Sequence, residues 1–97
     1  MSGTFNVTLD TPFGPQKGVL TLTEKDGSLS GSIRAVGSTS LFSGGKVSGN
    51  SFEFSGILHV ALFRFRYTAK GTVDGDTLRA VAETGSGTFQ MRGIRVS

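Results

Sequence analysis

Leu20-Thr21-Leu22-Thr23-Glu24-Lys25-Asp26-Gly27-Ser28-Leu29-Ser30-Gly31-Ser32-Ile33 decides the fold. Apolar and polar residues alternate on both sides of Lys25-Asp26-Gly27-Ser28, and a period of two belongs to a strand with one buried face. The Asp-Gly pair at the centre accepts the positive φ angles of a tight hairpin. The segment therefore reads as two antiparallel strands and the turn between them.

The same grammar extends in both directions. Gly49-Asn50-Ser51 and Asp74-Gly75-Asp76 offer two more hairpin turns, and Phe5-Asn6-Val7-Thr8-Leu9 and Phe63-Arg64-Phe65-Arg66-Tyr67 alternate as strands do. The chain holds 15 glycines, spread between short alternating segments, and no long window carries a helical apolar stripe. Strands are predicted at 3–10, 17–25, 28–36, 41–48, 51–58, 62–73, 76–84 and 87–96. Eight consecutive antiparallel strands leave two unpaired edges unless the sheet closes, so the prediction is an all-β, up-and-down barrel with essentially no helix. Its inward face is assigned to Phe5, Val7, Leu9, Leu20, Leu22, Leu29, Ile33, Phe52, Phe54, Phe63, Phe65, Tyr67, Leu78, Phe89 and Met91. Thr8, Thr21, Ser32, Arg34, Glu53, Arg64, Arg66, Lys70, Arg79 and Arg92 fall on the solvent face. A weak internal repeat, with Lys25-Asp26-Gly27-Ser28-Leu29 echoed by Asp74-Gly75-Asp76-Thr77-Leu78, suggests two four-stranded halves.

A length of 97 residues fits one domain with one core. The absence of cysteine excludes a disulfide framework, a thiol nucleophile and any cysteine-ligated metal. Neither a leader segment nor an apolar stretch long enough for a spanning helix is visible, so the cytoplasm is the expected location and no membrane contact is expected. A formal charge of +3 gives mild attraction to polyanions and no specific recognition.

Gly3-Thr4-Phe5 opening the first strand and Gly93-Ile94-Arg95 on the last resemble the calycin arrangement of lipocalins, fatty-acid-binding proteins and avidins. In those barrels a G-x-W motif starts the first strand, and a basic residue from the last strand packs over the tryptophan. This chain has Phe5 in the aromatic position. Thr11-Pro12-Phe13-Gly14-Pro15 and the D-G-D-x-L segment also resemble small bacterial domains of the G-x-[WF], T-P-x-G-P, G-x-R kind. The resemblance implies that Phe5 and Arg95 close one end of the barrel, and it implies no activity.

Residues that carry chemistry are sparse. His59 is the only histidine, and the seven acidic residues form no visible ligand set, so neither a metal nor a cofactor is expected. Asp10, Glu53 and Glu83 could serve as acid–base groups, yet no spacing joins two of them on an inward face. No enzyme is expected. Arg64, Arg66, Lys70, Arg79 and Arg92 suggest a basic stripe, but alternation puts Phe63, Phe65 and Tyr67 on the opposite face from Arg64 and Arg66. Single-strand binding needs aromatics among the cations, so nucleic acid is not the expected partner.

Ile57-Leu58-His59-Val60-Ala61-Leu62-Phe63 is apolar on both faces, which an ordinary hairpin is not. Its connection falls at the same barrel end as Pro12 and Phe13, opposite the tight Asp-Gly turns. Pro12, Phe13, Leu58, His59, Val60 and Leu62 are thus the candidate contact residues. The expected role is a non-enzymatic interaction or homo-oligomerisation module using this apolar lip. The alternative is a pocket at the barrel mouth for a small apolar or amphipathic ligand.

Overall fold

The computed structural model describes residues 1–11, 14–35, 37–60, 63–85 and 87–97, with side chains at all of these except 11, 58–60, 63 and 65. Eight strands, β1 (Gly3–Thr11), β2 (Gly14–Lys25), β3 (Ser28–Ala35), β4 (Ser38–Ser48), β5 (Ser51–Val60), β6 (Phe63–Asp74), β7 (Thr77–Thr84) and β8 (Gly87–Arg95), pair in chain order. β8 returns to β1, and the antiparallel barrel is closed.

The turns behave as their residues dictate. Asp26 and Gly27 both take positive φ, 53° and 81°, as a type I′ hairpin requires, whereas Gly49 and Gly75 take positive φ as first central residues of II′-like turns. Two expected boundaries move. The Thr11–Pro15 segment is not an extended loop: β1 and β2 stay paired through Asp10↔Pro15 and Thr11↔Gly14. Proline near a strand end removes no needed ladder donor, so Pro15 is tolerated there. β4 starts at Ser38 rather than at residue 41, because its pairing with β3 runs on to Ala35↔Ser38; alternation does not reveal this, since the inward residue there is Ser40, 6% exposed, whose hydroxyl donates to the Ile57 carbonyl.

The inward face is a packed apolar cluster including Phe5, Val7, Leu9, Leu20, Leu22, Leu29, Ile33, Phe52, Phe54, Tyr67, Leu78 and Met91. Phe42 joins it, stacked on Phe54 with ring centroids 3.9 Å apart, and Tyr67 meets Phe54 edge-on at 6.0 Å. Phe89 is only half-buried, and the Phe63 and Phe65 side chains lie outside the described ones. Small residues, Ala35, Ala69 and Ala80, fill positions between the rings, alternating large and small across a narrow interior.

The end holding Gly3 and Arg95 is plugged. Arg95 is register partner to Phe5, and its guanidinium carbon lies 4.8 Å from the ring centroid. The guanidinium also donates to the Ser2 carbonyl at 2.8 Å and sits 3.5 Å from an Asp76 carboxylate oxygen. Gly3 makes this possible, since a Cβ there would meet Arg95 Nη1 at 2.1 Å. Beyond the last ladder pair, the Val96 N–H donates to the Thr4 carbonyl at 2.7 Å.

Candidate functional site

The shortest regular ladder of the barrel lies between β4 and β5, although the two strands run as close together as their neighbours do. Their ladder holds only at Lys46↔Glu53, Val47↔Phe52 and Ser48↔Ser51, beside the tight turn, whereas β5 and β6 pair along the whole of Ser51–Val60. Past Lys46 the β4 backbone turns through Gly44, at φ 72°, and its register against β3 shifts between Leu29 and Gly31. Such a bulge inserts an extra residue and reverses which side chains face inward. Phe42 and Gly45 are consequently both buried, and Leu41 is thrown outward at 77% exposure. The Ser40 hydroxyl links β4 to β5 beyond the ladder, donating to the Ile57 carbonyl.

A groove of about 830 Å³ lies over this seam, lined by Thr39, Leu41, Ser43, Ser55 and Ile57 and floored by Gly31, Ser40 and Gly56. Leu41 and the half-buried Ile57 provide its apolar surface. Ile57 is also the first residue of the apolar run toward the β5–β6 turn. Of the apolar run that the sequence singled out, Ile57 lines the groove, and Leu41 is the residue sequence reading missed. Of the predicted contact residues, Leu58, His59 and Val60 fall on β5, opposite Phe65, Arg64 and Phe63, with side chains outside the described ones. Pro12, Phe13 and Leu62 lie outside the described residues.

Beneath the groove sits a buried phenol. Tyr67, 4% exposed, passes over Gly56, where a Cβ would come within 2.7 Å of its hydroxyl. Burial pushes its pKa up to about 12. The Ser40 proton is committed to Ile57, and the Tyr67 hydroxyl makes no hydrogen bond of acceptable geometry among the described residues. Leaving a buried hydroxyl unpaired costs roughly 1–3 kcal/mol.

The predicted chemistry-bearing residues are not assembled. Asp10, Glu53 and Glu83 lie exposed on β1, β5 and β7. Asp10 is 3.9 Å from Arg92, and Glu53 is register partner to Lys70. Among the described residues no group of three or more His, Asp or Glu side chains could hold a metal ion. The basic stripe divides as well: Arg64, Arg66 and Lys70 run along β6, and only Arg79 and Arg92 share a cross-strand row. No protein-family model, curated protein or solved structure matches the chain.

Proposed function

We propose that this barrel is a non-enzymatic interaction module that associates with a second copy of itself through the β4–β5 groove and the adjoining lip. The observation that carries this reading is Leu41, a leucine held 77% exposed beside Ile57 where a bulge directs it outward. Fully burying such a side chain gains roughly 1.5–3 kcal/mol, and a two-fold interface buries it twice. The lip residues Pro12, Phe13, Leu58, Val60 and Leu62 extend the same surface under this reading. The calycin resemblance belongs to the proposal too, supported by the Arg95 guanidinium over the Phe5 ring. So does a cytoplasmic location, for which the cysteine-free composition is the support.

Replacing Leu41 by Asp tests the function. The reading requires the variant to remain folded and to lose self-association.

A second reading, a small amphipathic ligand held near the barrel mouth, is favoured by one observation, the buried and unpaired Tyr67 hydroxyl. An apolar molecule bearing a single acceptor oxygen would satisfy that donor. Native mass spectrometry separates the two readings, since a ligand adds its own mass and a second copy doubles the total.

A further inference from the structure

We propose that the outer wall formed by β7, β8, β1 and β2 binds a linear phosphate polymer without bases, of the inorganic polyphosphate kind. This site is distinct from the β4–β5 groove and does not depend on it.

Register builds the site from residues far apart in sequence. Arg79 is directly opposite Arg92, Arg92 is opposite Thr8, and Thr8 is opposite Lys17, which makes one continuous row across four strands. Arg34 stands beside the row on β3, opposite Val19. All four cations are exposed. A depression of about 590 Å³ lies between Lys17 and Arg34, with Asn6, Thr8 and Val19 along it. The concave site thus combines cations with the neutral donors Asn6 and Thr8.

The distribution of charge sets this wall apart. Counted over β7, β8, β1, β2 and β3, the six cations Lys17, Lys25, Arg34, Arg79, Arg92 and Arg95 against the three acids Asp10, Glu24 and Glu83 leave +3, and the remaining four cations and four acids of the chain cancel, so the formal excess rests on this side of the barrel. Asp10 neutralises little, since its 3.9 Å approach to Arg92 joins side chains that are 43% and 70% exposed. Arg79 and Arg92 stand one strand spacing apart, roughly 5 Å, well inside the Debye length of about 8 Å at physiological salt. Like charges directly opposite each other on a sheet repel. A bound anion turns that repulsion into attraction.

Chemistry selects among anions. Three of the four cations are arginines, whose forked guanidinium matches phosphate oxygens bidentately. The row presents charge at successive strand spacings, which suits a chain of phosphates more than a single ion. Among the described residues, no aromatic side chain is exposed on the outer face of β1, β2, β7 or β8, so nothing there stacks bases. That favours a phosphate chain over single-stranded nucleic acid.

The test is calorimetric titration with medium-chain inorganic polyphosphate between about 50 mM and 200 mM salt, with oligo-dT and polyglutamate of equal charge as comparison ligands. The R79Q/R92Q variant should weaken polyphosphate binding by about tenfold or more and lower the salt slope by about 2, whereas R64Q/R66Q, with the same loss of charge, should change it less than about twofold. K17Q/R34Q reads the same wall independently if the first variant is not folded by circular dichroism. Equal losses in the R64Q/R66Q and R79Q/R92Q variants would show that diffuse charge is responsible and overturn the proposal. So would the absence of binding at the lowest salt, or binding of oligo-dT or polyglutamate as tight as that of polyphosphate.

Discussion

Truncating Phe5 to Ala removes the aromatic floor of the plugged end. Phe5 is 0% exposed, lies between Leu20 and Arg95 in register and carries the Arg95 guanidinium 4.8 Å above its ring. Deleting a buried phenylalanine costs about 3–5 kcal/mol, from lost transfer free energy and from the cavity left behind. Domains of this size have a total stability of roughly 5–15 kcal/mol, so the variant should lose at least about a fifth of it. Urea titration followed by circular dichroism reads the loss, and at roughly 1–3 kcal/mol per molar urea the midpoint should fall by more than about 1 M. A milder pair isolates the contact itself. Combining Phe5→Leu with Arg95→Met in a double-mutant cycle should give a coupling of about 0.5–1 kcal/mol, the range of a partly exposed cation–π contact. A Phe5→Ala protein that loses less than about 1 kcal/mol, or a cycle with no coupling, would refute the idea that these two residues close the barrel.

Two further substitutions test the interior. Tyr67→Phe should leave stability unchanged or raise it by about 1 kcal/mol at neutral pH, because it removes an unpaired buried hydroxyl; a loss above about 1 kcal/mol in thermal or urea melts would mean the hydroxyl is satisfied. The same pair has a pH signature: the folded phenol ionises only near pH 12, while the unfolded one ionises near 10 and so releases its proton first. Wild-type stability should therefore decline as pH rises above 10 relative to Tyr67→Phe, by up to roughly 1.4 kcal/mol per pH unit, with no difference in slope below pH 9. Gly31→Ala would place a Cβ 1.9 Å from the Thr21 carbonyl oxygen, and since that oxygen is backbone the strands must part. It should destabilise by about 3 kcal/mol or more, and a variant melting like the wild type would show that β2 and β3 do not approach so closely there.

Much of the barrel is legible in the sequence because each local rule agrees with the next. Asp26-Gly27 and Gly75-Asp76 set the hairpins, and alternation in Phe5–Leu9 and Leu20–Thr23 sets the buried face. The start of β4 is not legible, since Gly37-Ser38-Thr39-Ser40 has no apolar signal. What makes it a strand is its pairing with β3 through Ile33↔Ser40, Arg34↔Thr39 and Ala35↔Ser38, to which the Ser40 hydroxyl adds a bond to the Ile57 carbonyl. Leu41 is hidden for a related reason. Counting back by twos from Val47 puts Leu41 inside and Phe42 outside, and the Gly44 bulge reverses the parity. The basic wall is legible only in part: Arg79 and Arg92 belong to the stripe read from the sequence and pair across consecutive strands, whereas Lys17 joins their row only through the closure of β8 onto β1. Alternation tells which face a residue takes; closure and register decide which neighbours it has.

Sedimentation velocity over a wide concentration range, comparing wild type with Leu41→Asp, addresses the proposed self-association directly. The wild type should shift from the 10.1 kDa monomer toward twice that mass as concentration rises. Leu41→Asp should stay monomeric with an unchanged circular dichroism spectrum and melting temperature. Because the leucine is buried twice in a two-fold interface, the loss should be about 3 kcal/mol or more, at least a hundredfold in dissociation constant. A wild-type protein that remains a monomer at every concentration, or a Leu41→Asp variant that associates as the wild type does, would contradict the account.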